Sequence, residues 1–303
     1  MEKISIEVTE EMEDERIDKL ISNTIDFITR SYVQKLLKEE KILVSGNPVK
    51  ANYRVNMGDL IEFSIPESVE PNIIPEDLSL DILYEDDQLL IVNKPKGMVV
   101  HPAAGHYSGT LVNGVMYHCK KDLSGINGVL RPGIVHRIDK DTTGSVIVCK
   151  TDTSHNDIAA QLKVHSITRK YRAIVHGVMK EDSGSIDAPI GRDSSDRKKM
   201  SVNHKQGKHA ITHYRVLKRF KDATYVECEL ETGRTHQIRV HLSSIGHPLL
   251  GDTVYGRRKE KFNLQGQTLH AYIIGFIHPV TKKYLEIEAP LPAYFMQLLE
   301  RLE

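Results

Sequence analysis

Along the chain the apolar positions change period several times, and each change marks an element. In residues 1–10, Ile4, Ile6 and Val8 alternate with polar residues, the period of a short strand with one buried face. Ile17, Leu20 and Ile21 then fall at helical spacing, and Ser31 reads as the N-cap of a second helix carrying Val33, Leu36 and Leu37. A short strand over Ile42–Val44, a Gly46-Asn47 turn and a strand over Leu60–Ile65, entered through Gly58-Asp59, complete a compact unit of two helices and a small hairpin. Residues 66–79 hold Pro66, Pro71 and Pro75, several acids and no periodicity, and read as a solvated, semi-rigid linker. Beyond it, Leu80–Tyr84 and Leu89–Asn93 read as strands. Asn113–His118 reads as a helix with Leu111, Val112, Val115 and Met116 as its apolar positions. A strand over Val146–Cys149 precedes a helix over Thr153–Val164 with the stripe Ile158, Ala159, Leu162. Alternation returns in Lys170–Val178, Thr212–Leu217, Ala223–Leu230 and Tyr284–Ala289. Many short strands and few helices predict an α+β chain. Its parts are a small N-terminal domain over 1–65, the linker over 66–79, and a larger domain over 80–303 on a mixed, mostly antiparallel β-sheet.

Composition narrows the class. The 303 residues are 40% hydrophobic and 27% charged, an ordinary globular balance, with no apolar run long enough to span a bilayer. The acidic, alternating N-terminus has no signal-peptide core, and Cys119, Cys149 and Cys228 show no paired spacing, so reduced thiols in the cytoplasm are expected. The formal net charge is zero, but it is segregated: Glu67–Asp87 is acidic, while Arg30–Arg54, Lys163–Arg172, Arg192–Lys208 and Arg257–Lys261 are basic-rich. Such runs are either solvated surface or faces that meet phosphates. His236, His241 and His247 are spaced by five and six residues, which matches no compact zinc motif, and no metal is expected. The chain also has no P-loop and no GxGxxG fingerprint, so no nucleotide cofactor is expected.

The densest polar stretch is HRIDKDTTG, His136–Gly144, which follows the turn Arg131-Pro132-Gly133 and runs into the Val146–Cys149 strand. Its two carboxylates, Asp139 and Asp141, sit among Arg137, Lys140 and two threonines. Carboxylates on such a loop serve as a nucleophile, as a general base, or as one half of a structural ion pair. The residues alone do not choose between the two. Tyr171 likewise reads either as a core residue of a strand or as a group offered to a ligand.

Three further stretches accompany this one in order: NKPKGMVVHP (Asn93–Pro102) upstream, then RKYRAIVHG (Arg169–Gly177) and GRTHQIRVH (Gly233–His241) downstream. Together, over about Leu83 to Pro290, they resemble the RluA family of pseudouridine synthases, nearest its members that act on large-subunit ribosomal RNA. The N-terminal runs RIDKLISN and SYVQKLLKEEKILVSGNPV resemble the RNA-binding domain of ribosomal small-subunit protein four, the alpha-L motif. The resemblance implies a pseudouridine synthase fold with a cleft across the sheet, and isomerisation of uridine in structured RNA without a cofactor. It implies Asp139 as the catalytic carboxylate, with Ile138 replacing the family's leucine, Tyr171 as the active-site tyrosine, and Arg234 as the arginine paired with Asp139. It implies Leu269 as an apolar contact to a flipped base, and Arg137 either on RNA or in the space the nucleotide vacates. In the small domain it implies RNA contacts from Arg30, Ser31, Gln34, Lys35, Lys38, Lys41 and Asn47. The expected partner is ribosomal RNA, free or in an assembling particle; no membrane partner is expected, and the chain is expected to be a monomer. Two other classes remain to be weighed. A non-catalytic RNA-binding assembly factor has no use for Asp139, Tyr171 and Arg234 together. A retaining glycosidase needs two carboxylates about 5 Å apart, one of them protonated, and sugar hydrolases often carry a tryptophan platform, which this chain lacks.

Overall fold

The computed structural model describes residues 2–25, 28–65, 73–102, 106–120, 122–126, 132–194, 196, 199–257 and 262–303. The chain divides into two compact units, Met1–Pro71 and Asn72–Glu303.

In the first unit, β1 (Glu2–Glu7), β2 (Ile42–Val44), β3 (Asn47–Pro48) and β4 (Leu60–Ile65) form an antiparallel sheet in the order β1-β4-β2-β3. Helices α1 (Ile17–Thr24) and α2 (Arg30–Lys38) contribute Ile17, Leu20, Ile21, Val33, Leu36 and Leu37 to a core closed by Ile42, Ile61 and Phe63. The helical spacings in the sequence are those of this buried face. Two local readings shift. The N-cap of α2 is Thr29, not Ser31: Thr29 has extended backbone and its hydroxyl accepts from Tyr32 N–H, so Arg30 is already helical. The hairpin turn is Ser45-Gly46, both with positive φ, and Asn47 is already paired with Val44 in β3.

The second unit is built on a nine-stranded sheet. It consists of β5 (Ile82–Glu85), β6 (Leu89–Lys94), β7 (Thr143–Cys149), β8 (Thr168–His176), β9 (Ser183–Asp187), β12 (Ile211–Arg219), β13 (Ala223–Leu230), β14 (Leu269–Ile277) and β15 (Tyr284–Glu288). The order is β5-β6-β7-β14-β8-β13-β12-β9, with β15 on β14. Its described pairings are antiparallel except β7 with β14. Strands β10 (Ile190–Arg192) and β11 (Met200–Val202) form a separate ribbon. Helices α3 (Leu111–Cys119) and α4 (Asp152–Lys163) begin in capping boxes at Thr110 and Thr151. Helices α5 (Gln237–Ser244) and α6 (Ala293–Leu302), with strands β9, β10, β11 and β14, were not expected from the periodicity.

The solvated linker expected over 66–79 is different where it is described. Residues 66–72 lie outside the described residues, as do Arg131 and parts of the basic runs 192–208 and 257–261. Residues 73–79 belong to the second unit: Ile73 is buried in its core, Asn113 Nδ2 donates to Ile74 O at 2.8 Å, and Glu76 N–H donates to Asn113 O at 3.0 Å. A buried isoleucine and an asparagine clamp hold the segment down although its composition is that of a linker.

Strand alternation sets the two faces of the sheet. Tyr171, Ala173 and Val175 of β8 pack with Ile238 and Leu242 of α5 on one face, while Ile174 packs with Phe295 and Leu298 of α6 on the other. The parallel start of β7 against β14 requires a glycine. Gly144 has φ +105°, and a Cβ there would collide with the Ala271 carbonyl. The loop before it therefore leaves β7 at the first strand of a tight parallel pair, at the mouth of the α5 face.

Candidate active site

That mouth opens into a cavity of about 560 Å³. Asp139, Arg137, Tyr171, Arg234 and Leu269, all singled out in the sequence, line it. Asp141 does not: it sits against Gly266, where a Cβ would lie 2.7 Å from its Oδ2. The two carboxylates therefore do not share the cavity, although an i, i+2 spacing in a regular strand would put them on one face, and they do not form a glycosidase pair.

The arginine on Asp139 is not the expected one. Arg239 Nη1 donates to Asp139 Oδ2 at 2.9 Å, whereas Arg234 turns aside and donates from Nε to His209 O at 2.9 Å. The cause lies in the start of α5. Arg234 N–H donates to Gln237 Oε1, and Gln237 is pinned in turn by Thr232, Ile211 O and Thr212. This fixes the loop that carries Arg234 toward the β9–β12 side, while the first turn of α5 carries Arg239 into the cavity.

Arg239 is held from behind. Asp252, with no side-chain exposure, accepts from Arg239 Nε at 2.7 Å and Nη2 at 2.9 Å, and also from the N–H groups of Val254 and Tyr255. Burial opposes charge on the guanidinium, but hydrogen bonds and charge from Asp252, with Asp139, outweigh it and raise its pKa. Burial likewise works against the Asp252 carboxylate, and the hydrogen bonds and charge of Arg239 bring its pKa below the ordinary value. Asp139 also faces His236 Nε2 at 3.8 Å. His236 has left-handed backbone (φ 57°, ψ 21°), pairs through Nδ1 with Tyr255 Oη at 2.9 Å, and has its pKa lowered by burial against the pull of Asp139. Sequence reasoning missed Arg239, Asp252 and Tyr255. The signal was present in GDTVYG, residues 251–256, but needed the fold to bring it beside GRTHQIRVH.

Tyr171 is half-buried in the cavity wall, and the desolvation of its hydroxyl raises the pKa; neighbouring Arg169 pulls it down and Asp139 pushes it further up. Leu269, 4% exposed, forms an apolar patch beside it. His136 of the central motif does not reach out. Burial, with the Arg169 charge, lowers its pKa to about 4, and its Nε2 accepts from Ile147 N–H at 2.9 Å, tying the loop to β7. Lys94 supports the same loop from below: its buried ammonium donates to Pro95 O, Met98 O and Lys140 O. Burial lowers its pKa to about 7 despite the charges of Asp141 and Asp139. Arg137 is at the rim, with Nη1 donating to His101 Nε2 at 3.4 Å. His241 is buried on Thr212 and Ala188 O, and His247 Nδ1 donates to His176 O, so both serve as polar groups bonded within the fold.

Residues 88–244 match the family model described as RNA pseudouridylate synthase, just over half of the chain. The chain belongs to this family. Its members isomerise uridine in RNA, and this chain is an RNA pseudouridine synthase. Residues 15–61 match the S4 domain, so the first unit is an RNA-binding S4 domain joined to the synthase domain. The chain is similar over its whole length to "Uncharacterized RNA pseudouridine synthase YlyB" of Bacillus subtilis, at 53% identity and 99% of that protein. It is 46% identical, over 98% of this chain and 96% of the relative, to "Ribosomal large subunit pseudouridine synthase D" of Zymomonas mobilis. Among solved structures, "Human RNA Pseudouridylate Synthase Domain Containing 1" aligns with TM-score 0.58 at 25% identity, over 79% of this chain and 97% of that one.

In the S4 domain the expected RNA-facing residues Arg30, Ser31, Gln34, Lys35, Lys38, Lys41 and Asn47 are all exposed, along α2 and at the β2–β3 turn. Their organiser was not foreseen. Asp18, fully buried, accepts from Arg16, Arg30 and Gln34, the last at 2.6 Å. Burial alone would raise the Asp18 pKa; the bonds from Gln34, Arg16 and Arg30 bring it down to about 2. Arg16 and Arg30 stay about half exposed while fixed at one end, so two guanidinium groups are pre-oriented on one surface. Lys35 and Lys41 both pair with Glu39. No helix among the described residues is long and apolar enough to cross a membrane.

Proposed function

We propose that this synthase isomerises uridines of large-subunit (23S) ribosomal RNA in the cytoplasm, as a monomer, with Asp139 as the catalytic carboxylate. The observation that carries the assignment is the Asp139 carboxylate in the cavity wall, hydrogen-bonded to Arg239 and facing the same space as Tyr171 and Leu269. The ribosomal target rests on the relatives named ribosomal large subunit pseudouridine synthase D, at 40–46% identity over nearly the whole chain.

The reaction breaks the N1–C1′ bond, turns the uracil and rejoins it through C5; atoms are conserved, so no cofactor is required by the balance. Asp139 meets the ribose either at C1′, as nucleophile, or at the 2′ proton, as base. Arg239 holds one carboxylate oxygen, leaving the other for the sugar. The base leaves its stack and lies against Tyr171 and Leu269, with Arg137 at the rim toward the space it vacated. Burial keeps the Tyr171 phenol protonated at neutral pH, which suits a hydrogen bond to the base. Arg234, on the same wall, is assigned to RNA at the mouth of the cavity. Arg30, Ser31, Gln34, Lys35, Lys38, Lys41 and Asn47 give the S4 domain its phosphate contacts, which supply affinity and register rather than sequence.

Chemical mapping of pseudouridine in total RNA tests this, comparing cells with the intact protein, cells without it, and cells carrying Asp139→Asn. Loss of the same large-subunit positions in both altered strains is expected. Unchanged maps in both would sink the ribosomal assignment.

A further inference from the structure

One charged group in the cavity wall remains without a task. Arg169 of β8 shares the face of Tyr171, lines the cavity and is 9% exposed. Its Nη2 donates to Leu230 O at 3.4 Å and Glu231 O at 3.0 Å. Its Nε is buried with no hydrogen-bond partner. The wall makes room for it: a Cβ at Gly233 would sit 2.7 Å from Nη1. No described carboxylate is bonded to it. Burial lowers its pKa, against a smaller opposite pull from Tyr171. An arginine still holds its proton under such a shift, so a cation stands in this wall with its charge uncompensated. Leaving a buried charge unpaired costs several kcal/mol. Sites keep such a group where a negative charge arrives later.

Resting on the reading of Asp139 and the cavity given above, we propose that Arg169 is a further catalytic residue that stabilises the uracil anion formed when the N1–C1′ bond breaks. In that step the bonding pair goes to N1 and spreads over the two carbonyl oxygens of the base. C1′ is left to bond the Asp139 carboxylate, or the 2′ proton passes to it. Either way uracil carries a full negative charge until C5 rejoins C1′. The base at that moment lies between Tyr171 and Leu269, and Arg169 is the buried cation on the same strand face. Both described carbonyl bonds are taken by Nη2, and Nη1 and Nε, for which no bond is described, are the donors left for the anion. A phosphate would instead meet the exposed cations of the rim.

The test uses the full-length protein and a large-subunit rRNA transcript, under single turnover at saturating enzyme. Arg169→Met is expected to lower the rate about 100-fold, the order seen when one donor to a developing anion is removed, with RNA affinity unchanged within about twofold. Arg169→Lys, which restores a cation, is expected to recover at least tenfold of that loss. The decisive arm replaces uridine with 5-fluorouridine and follows its consumption after nuclease digestion. Fluorine makes the base a better anion, so the defect of Arg169→Met should shrink several-fold on this substrate. An equal defect on both substrates, or a defect in affinity alone, overturns the proposal: the residue then serves only the fold or a phosphate. Asp139→Asn runs in parallel. If it remains active, the site assignment fails. If it is inactive while Arg169→Met turns over like the parent, only the role of Arg169 fails. Circular dichroism and melting of each variant separate loss of fold from loss of rate.

Discussion

Replacing Asp252 with asparagine tests whether the synthase depends on a carboxylate that never touches RNA. Asp252 does not line the cavity, yet it accepts four hydrogen bonds, two from Arg239 and two from backbone N–H groups. Asparagine keeps the shape but has one acceptor oxygen. Whichever way its amide turns, an NH2 group faces N–H donors. Two charge-assisted bonds at about 1.5–3 kcal/mol each are lost or weakened. Breaking a buried ion pair on one side costs about 3–5 kcal/mol in total. Part of that cost appears as stability, expected as a fall in melting temperature of several degrees. The rest appears at Asp139. Arg239 then has a single carboxylate to answer and swings toward it, closing the second Asp139 oxygen to the ribose. A loss of 2.7 kcal/mol in transition-state stabilisation is about 100-fold in rate. The assay is tritium release from RNA labelled at C5 of uridine, under single turnover, with RNA affinity measured separately. The expected pattern is a rate lowered about 100-fold with affinity unchanged within about twofold. Full rate and unchanged melting would refute the claim that Arg239 is oriented from behind.

Four further outcomes follow from the structure. Arg239→Ala is expected to lower the single-turnover rate by about 10³-fold or more, through loss of a buried charge partner. Arg234→Ala, whose guanidinium among the described residues donates to the His209 carbonyl alone, should cost no more than about fivefold, within about 1 kcal/mol; equal losses would show that the arginine assignment is wrong. In the S4 domain, Asp18 has its pKa lowered from 3.8 to about 2, so its contribution is present above about pH 4 and is lost as pH falls toward 2. That contribution is about 2 kcal/mol; hydrogen exchange of α1 and α2 at pH 4 and 2.5 should show the loss in the parent chain, and Asp18→Asn should remove the dependence. Gly144→Ala meets the Ala271 backbone at a left-handed φ and is expected to destabilise by about 3 kcal/mol or more; a parent-like melting temperature would disprove the close approach of β7 and β14.

The helices that were most legible in the sequence are those with one wet face, while strands such as β7, buried on both faces, were read from their apolar run. The two helices of the S4 domain show their period because the polar residues opposite their buried face are exposed to water. Helix α5 was not legible because it is buried nearly all round: Gln237, Arg239 and His241 are buried with their partners alongside Ile238, Val240 and Leu242. Every second position being apolar there mimics a strand. Strand β14 hides for a related reason, since a register shift between Ala271 and Ile273 interrupts an already two-sided apolar run. Helix α6 did carry a signal, Phe295, Leu298 and Leu302 after Pro292, which the alternation of the neighbouring strand obscured.

The site divides along the same line. Asp139, Tyr171 and Leu269 were reached through the family resemblance, and each lines the cavity from a position on or next to a strand. The arginine was not, because its direction depends on where a helix begins. Arg234 and Arg239 lie five residues apart in GRTHQIRVH. Had the segment been a strand, that odd separation would have put them on opposite faces and left either free to be the partner. In the fold the left-handed turn at His236 ends the loop and starts the helix, so Arg239 stands in the first turn of α5, one position beyond the core residue Ile238. About 100° of helical rotation from that core contact directs it into the cavity, and Asp252 then fixes which nitrogen meets Asp139. The choice between the two arginines is therefore made by the backbone of His236 and the hydrogen bonds of Gln237. A variant that removes the Gln237 bonds, Gln237→Leu, should lower the single-turnover rate by loosening both the start of α5 that aims Arg239 and the loop that holds Arg234, and a parent-like rate would disprove this account of the choice.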